Sequence, residues 1–545
     1  MEQQKTKKLF YSLFTGIYLT TMITFAIFVI KWNHVPSVLL FLVLSFLFFL
    51  SSYGIAREIT SLLIPYRPPA SLSTAPTGIR VALLYTTMND VVEECLCSLK
   101  QTYPVDVFVL DDSTDKRCRA LVDSISSRYG YTVVRREKRR GYKAGAVNDW
   151  FNSQGAVYDY IVLLDADSYL PPDWVAEALR FAEHPENRRV AIFQGMINIW
   201  NLDTDFVSTL APMSRVGQFV WERQLANDLD AVFCYGHNAM IRVSALREIG
   251  GFIEGYVSED FATAIALADR GWKSKFLPLH TYEAMPENLR GFIKRQNKWT
   301  RGAMEFFGLS AKSRLSRGQK LHLLHIPLGH ITNLLLPIGM ILTVYGFSST
   351  QTAAAAFLLG LVKNPLLTLW SVPVLRFMMI FAPLSSIPGF IVKRISSISF
   401  MQSMKHRILS SAISAVSIPF EFKSMLSYLF TGLRTIPVTP KSEAPLTGSE
   451  ILRISAGSLV IQCMLWTGIY ISNPLAALFN STWLIPMAIS PFIIMRFGGI
   501  RSYKESREGT RDAYMATCLL PDPAGVHLML KRASSGDVIH STQSS

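Results

Sequence analysis

Two apolar runs, residues 9–30 and 37–55, stand back to back near the start of the chain, each about the length that crosses a bilayer. The connector Lys31–Ser37 leaves little room between them. The first run lacks a small-residue cleavage site and a second span follows at once, so the pair reads as a hairpin anchor rather than a signal peptide. Lys5, Lys7 and Lys8 precede it, and Arg57 and Arg67 follow it. Both flanks are therefore expected on the cytoplasmic side.

The apolar pattern returns after about residue 320. Leu323–Tyr345 reads as a clear span, and Ala353–Val392, broken by Lys363, Pro365, Pro373 and Arg376, as one or two spans or a re-entrant piece. Lys405–Phe430 suits in part an interfacial helix. Residues 453–475 and 480–496 read as a closing hairpin, and Arg496, Arg501, Lys504, Arg507 and Arg511 place the tail in the cytoplasm. Half of the 545 residues are hydrophobic and 17% are charged, against about 25% in an ordinary soluble domain. The net charge of +14 is explained by basic flanks of apolar runs, and no nucleic-acid partner is expected. Six cysteines form no CxxC pair and no zinc spacing, which fits a reducing compartment.

Between the two apolar regions the composition turns soluble. Ile79–Thr86, Val105–Leu110, Tyr131–Arg135, Tyr160–Leu164 and Val190–Gln194 read as strands, and Val91–Gln101, Lys116–Arg128 and Ala144–Phe151 as helices. Strands that are nearly continuous in apolar residues and alternate with helices predict a parallel α/β sheet covered on both faces. The expected organisation is a hairpin (1–58), a Pro/Ser linker (59–78), an α/β domain (79–318), membrane and interfacial helices (319–432), a loop (433–448), a second hairpin (449–497) and a tail (498–545).

Ligands of open α/β sheets bind beyond the carboxyl ends of strands. One strand there ends in Asp165-Ala166-Asp167, two carboxylates able to share a hard cation such as Mg²⁺ with substrate phosphates; a helix cap before Pro171 is the rival reading. Another ends in Asp111-Asp112, which could hold ribose hydroxyls or a base edge, while Asp115 competes as an N-cap. Lys143, at a small-residue helix start, suits a nucleotide, whereas Arg136–Arg140 reads as a solvated basic loop. Neither GxGxxG after a strand nor GxxxxGK[ST] occurs. Ser258-Glu259-Asp260 is either a helix start or a general base for an acceptor hydroxyl. In Arg295-Gln296-Asn297-Lys298-Trp299, Lys298 and its neighbours suit a departing diphosphate and Trp299 offers a face to a sugar ring; an ordinary juxtamembrane basic helix is the alternative.

Taken in this order the motifs resemble the processive family-2 glycosyltransferases, D, D, D, Q(Q/R)xRW, most closely the catalytic subunit of bacterial cellulose synthase. The resemblance implies a GT-A fold, an α/β Rossmann-like cytoplasmic domain inserted in a helical membrane bundle. It implies an inverting enzyme that polymerises a β-linked glucan from a UDP-sugar donor, UDP-glucose first, with Mg²⁺ or Mn²⁺ as cofactor, and exports it; the alternatives are a synthase of hyaluronan, chitin or mannan, a non-processive lipid glycosyltransferase and, remotely, a non-enzymatic transporter. The growing polysaccharide and the lipid bilayer would be partners, with room for accessory export subunits, in a bacterial inner (plasma) membrane. Carried over by position, Thr87, Asn89 and Asp90 would lie near the base, and Asp111, Asp112, Lys143 and Asp165 would bind the donor. Asp167 would join Asp165 at the metal, and Asp260, with Glu259, would be the catalytic base. His237 and Asn238 would line the acceptor end. Gln296, Lys298 and Trp299 would form the diphosphate and acceptor platform, and Thr439 and Lys441 a loop closing over the donor. Met88, Asp90, Ser258, Arg295, Lys298, Ile436 and Ser442 depart from the family pattern.

Overall fold

The computed structural model describes residues 2–201, 205–346, 359–360, 362–396, 398–432 and 446–473, with short pieces at 476–477, 480, 489–490 and 492–493. The loop residues Thr439 and Lys441, the second half of the closing hairpin for the most part, and the tail lie outside the described residues.

Helices α1 (Glu2–Phe28) and α2 (Val35–Leu63) form the N-terminal pair. The soluble region then runs β1 (Val81–Thr87), α3 (Glu93–Cys97), β2 (Asp106–Asp111), α4 (Lys116–Tyr129), β3 (Thr132–Val134), α5 (Tyr142–Gln154), β4 (Tyr160–Asp165), α6 (Trp174–Ala182) and β5 (Val190–Ile199). A helical crossover follows: α7 (Asp205–Leu210), α8 (Pro212–Gly217), a π-helical segment Gln218–Leu225, and α9 (Ala226–Leu229). Then come β6 (Ala239–Arg242), α10 (Val243–Ile249), α11 (Glu259–Ala268), β7 (Lys273–Glu283) and α12 (Leu289–Lys312).

The seven strands form one sheet in the order β3-β2-β1-β4-β6-β5-β7. Only β6 runs antiparallel to its neighbours, β4 and β5. The sheet order turns between β1 and β4, so the carboxyl ends of β1, β2 and β4 open onto one crevice. Every residue of β1 is buried. Its residues alternate between two cores: Ala82 and Leu84 pack with Trp150 of α5 and with α11 and α12, while Val81, Leu83 and Tyr85 pack with Trp174 and α3, α4 and α6. Each fully buried side chain of this size contributes roughly 1.5–3 kcal/mol. The mostly parallel α/β sheet expected from the sequence is therefore the fold observed.

Three local readings change. Helix α3 is five residues long, not eleven; the Ser98 hydroxyl donates to the Cys95 carbonyl at 2.8 Å and closes it early. Strand β5 extends to Ile199 because β7 supplies a partner. Strand β7 itself carries Lys273, Lys275 and Pro278, which hid it; it lies at the sheet edge, with a register irregularity opposite Pro278, where a proline is tolerated.

Beyond the sheet lie α13 (Arg317–Gly346), α14 (Pro365–Ser371), α15 (Pro373–Ile395), α16 (Phe400–Thr431) and α17 (Gly448–Ser472). Four described helices are long and apolar enough to cross a membrane: α1, α2, Arg376–Ile395 and α17. A fifth candidate is α13, bent by 54° between Asn333 and Leu335. Pro337 sits four residues after Asn333, so its ring displaces that carbonyl and bends the helix. Apolar helices of spanning length at both ends make this an integral membrane chain. Helix α16 opens on a Ser399–Gln402 capping box and packs Ile413 and Val416 against Leu289, Phe292 and Ile293 of α12.

Candidate active site

The turn after β1 is built by its own side chains. Asp90 Oδ1 accepts from Thr87 Oγ1 at 3.0 Å and from the Met88 amide at 2.7 Å. Asn89, at φ 61°, takes the left-handed conformation that asparagine tolerates, and its Oδ1 accepts the amides of Thr114 and Asp115, both at 2.8 Å. The turns after β1 and β2 are thereby tied into one rim. Asp115 caps α4 through the amides of Arg117 and Cys118.

At the end of β2, Asp111 is buried, with Oδ2 on Arg135 Nε at 2.7 Å and Oδ1 on the Ser113 amide at 2.9 Å. Asp112 is held by Arg136. The expected solvated basic loop holds for residues 137–140, which are exposed, and fails for Arg136. Arg136 is largely buried, donates to the carbonyls of Arg140 and Tyr142, and meets Asp149; Arg140 pairs with Asp149 and Glu254. The arginines fasten the start of α5 to the end of β2 because carboxylates of both elements converge there. Five cationic residues between 135 and 140 facing aspartates at strand ends were the available signal.

Lys143, in the first turn of α5, reaches across to Asp165 at the end of β4 and donates to the Gly236 carbonyl at 2.7 Å. Asp167 is nearly inaccessible; its Oδ2 accepts from the Ala284 amide at 3.3 Å and its carbonyl from Trp200 Nε1 at 3.0 Å. Among the described residues no group of three or more His, Cys, Asp or Glu side chains could cage a metal. A pair of strand-end carboxylates fits a hard divalent cation that completes its shell with phosphates and water.

Lys143, Gly236, Glu259 and Asp260 line one small cleft with Leu163 and Phe252. Glu259 and Asp260 open α11, and Asp260 Oδ1 accepts from the Phe261 amide at 2.8 Å. Burial raises the Glu259 carboxyl, opposed by the charges of Lys298 and Lys143. Burial, then the charge of Glu259, raises Asp260. Gly236 needs φ +83°, and a Cβ there would come within 2.7 Å of Asp260 Oδ2. Next to it, Asn238 is buried and donates to the Tyr282 carbonyl at 3.2 Å; His237 Nε2 lies 2.6 Å from Glu283 Oε2.

Helix α12 carries Gln296, Lys298 and Trp299, of which Lys298 acts by its charge on Glu259 and Asp260. Trp299 is 52% exposed, and the Arg295 guanidinium lies 4.5 Å from its ring centroid. Burial lowers the pKa of Arg295, opposed by the charges of Glu283 and Asp167. Thus Lys143, Asp165, Glu259, Asp260 and Lys298 converge, whereas Asp111 and Asp112 stand at the β2 rim in their own ion pairs. Sequence reasoning passed over Glu283, Arg136 and Glu305. Glu305 is the sole acid of α12 and accepts the amides of Val257 and Ser258; a lone acid in a basic helix was the sign.

Residues 160–384 match the family model described as Glycosyl transferase family group 2. Curated relatives include Glucomannan 4-beta-mannosyltransferase 2 of Arabidopsis thaliana, 30% identical over 207 residues, covering 36% of this chain and 38% of that protein. Glucomannan 4-beta-mannosyltransferase 1 of Oryza sativa subsp. japonica is 30% identical over 224 residues, 39% of this chain and 42% of that protein. The chain thus spans about two fifths of the length of the curated relatives it matches. Among solved structures, the mannosyltransferase PcManGT from Pyrobaculum calidifontis in complex with GDP-Man and Mn2+ aligns with 19% identity and a TM-score of 0.44, over 64% of this chain and 97% of that one. These relatives correct the expectation of a cellulose synthase catalytic subunit: the similarity runs to family-2 glycosyltransferases named for mannosyl transfer.

Proposed function

We propose that the protein is a membrane-embedded inverting glycosyltransferase that moves a hexose, mannose first, from a nucleoside diphosphate sugar onto a β-linked polysaccharide. The observation that carries this reading is the single cleft shared by Lys143, Glu259 and Asp260 beside Asp165. The names of the curated relatives favour mannose and a β-1,4 linkage. Basic flanks of the membrane helices favour a cytoplasmic catalytic domain.

In this mechanism the cations Lys143 and Lys298 hold the diphosphate. A divalent cation, where Asp165 and Asp167 hold it, supplies further charge neutralisation of the leaving group. Asp260 takes the proton of the acceptor hydroxyl, whose oxygen attacks the anomeric carbon from the face opposite the departing nucleotide. Trp299, half exposed, gives the acceptor ring a flat apolar surface. Asp112, Thr87 and Asp90 bound the donor's nucleoside end, and His237 and Asn238 the acceptor end.

The test is turnover by purified protein in lipid or detergent with Mn²⁺ or Mg²⁺ and labelled GDP-mannose, GDP-glucose, UDP-glucose or UDP-N-acetylglucosamine, followed by linkage analysis. A β-1,4-mannosyl product from GDP-mannose is expected. Polymer only from a UDP-sugar would move the donor assignment, and a short lipid-linked product would replace polymer synthesis. No transfer with any donor would sink the reading.

A further inference from the structure

Asp260 is tied locally to the Phe261 amide, but the segment that leads into it is held from elsewhere. Ser258 precedes α11 in the cap position, yet its side chain makes no capping hydrogen bond. The amides at this helix start are met from another element. Glu305 of α12 is 3% exposed; its Oε2 accepts from the Val257 amide at 2.9 Å and the Ser258 amide at 3.0 Å, with Oε1 3.1 Å from the Val257 amide. One turn earlier on α12, Gly302 lies so close to the same segment that a Cβ would collide with Ser258 Oγ while standing 3.4 Å from Ser258 Cβ. The missing side chain lets the two backbones approach, and the buried carboxylate then meets hydrogen-bond donors that justify its burial.

We propose that Glu305 and Gly302 form a latch through which α12 sets the position of Glu259 and Asp260, making Glu305 a positioning residue for the transfer step. Helix α12 also carries Lys298, whose charge acts on both acids, and Trp299. One helix thus carries Lys298 and Trp299 and, two turns later, holds the segment that leads into Glu259 and Asp260. The spacing between base and platform is fixed by α12 instead of by the loop 250–258. Charge-assisted bonds from Glu305 are the strong kind, so the latch is stiff. The inference rests on the assignment of Asp260 as base.

The test uses the full chain in detergent with the donor that supports turnover. Glu305→Ala should lower kcat by about a hundredfold, the cost of misplacing a reacting group by an ångström. The Kd for the donor nucleotide should stay within about threefold, because Lys143 and the β-strand ends are untouched. Glu305→Gln, which keeps a carbonyl acceptor, should recover part of the loss. Gly302→Ala should lose kcat likewise, and Ser258→Ala added to it should restore much of that loss by removing the atom in collision. Recovery in the double variant supports the latch even where Glu305→Ala fails to fold. Wild-type kcat in Glu305→Ala, or no recovery in the Gly302→Ala/Ser258→Ala pair, overturns it. Normal turnover in Asp260→Asn would instead remove the base assignment beneath it.

Discussion

Arg136 grips both carboxylate oxygens of Asp112, Nε on Oδ1 at 2.8 Å and Nη2 on Oδ2 at 2.6 Å. The same guanidinium donates to the carbonyls of Arg140 and Tyr142, so it joins the β2 rim to the helix that presents Lys143. Lysine cannot reproduce this fork. Arg136→Lys should therefore raise the KM for the donor about tenfold or more, from the loss of hydrogen bonds worth ~1.5–3 kcal/mol each to a charged partner. Steady-state kinetics over donor concentration would check this; an unchanged KM would show that the clamp does not shape the donor site.

Gly236 joins the Lys143 contact to Asp260. Its carbonyl accepts from Lys143, its φ of +83° suits glycine, and a Cβ would press on Asp260 Oδ2. Gly236→Ala should cut kcat by at least tenfold and lower stability by roughly 1–2 kcal/mol. Parallel activity and melting measurements separate the two effects, and a variant unaffected in both would contradict the geometry.

Much of this was readable in advance, and what was missed has physical causes. Strands β1 and β4 are buried on both faces, so their apolar runs were visible without any partner. Strand β7 was not visible, because an edge strand can carry lysines and a proline. The acids at strand ends were legible because they close apolar runs, where a charge stands out. Pairing was hidden: nothing local to Arg136 or Glu305 says that Asp112 or the amides of Val257 and Ser258 wait more than twenty residues away. The cellulose-type resemblance rested on short motifs, and the similarity runs instead to relatives named for mannosyl transfer.

A polar knot ties α12 to the membrane helices. Glu421 of α16 accepts from Ser417 at 2.8 Å and Asn333 at 3.1 Å, and it lies 3.1 Å from His330 Nδ1, itself 3.2 Å from Thr300 Oγ1 beside Trp299. Glu421→Leu would leave these groups without their shared acceptor. Loss of about 1 kcal/mol or more of stability in detergent is expected, with a rise in acceptor KM as Trp299 loses its support. Glu421→Gln should fall between Leu and wild type. Melting curves and acceptor titrations check the order; a Leu variant as stable as wild type would contradict it.

Chelation tests the strand-end acids. Two carboxylates bind a divalent cation weakly unless phosphates complete the shell. EDTA should abolish transfer and weaken nucleotide diphosphate binding, Mn²⁺ should restore both, and the unliganded protein should melt at the same temperature with or without chelator. Asp167→Asn should lose the metal dependence of nucleotide binding. Full turnover in EDTA would exclude this role for Asp165 and Asp167.

Asp260 gives the sharpest pH prediction. Its carboxyl is raised to about 7 by burial and by Glu259, and a base must be ionised to act. The kcat/KM should climb through neutral pH to a plateau, and Asp260→Asn should remove about 10²–10⁴-fold of the rate. Linkage gives an independent reading. With the folded pKa above the unfolded one, the native state binds the extra proton between about 4 and 7. Stability associated with this group is full below that window and is lost as pH rises through it. Asp260→Asn has no charge to bury, so it should melt higher than wild type at pH 8, and the gap should narrow at pH 5 and close only near pH 4. Equal melting temperatures at both pH values would mean that Asp260 ionises as freely in the folded protein as in the unfolded chain, and would leave the base without the burial that tunes it.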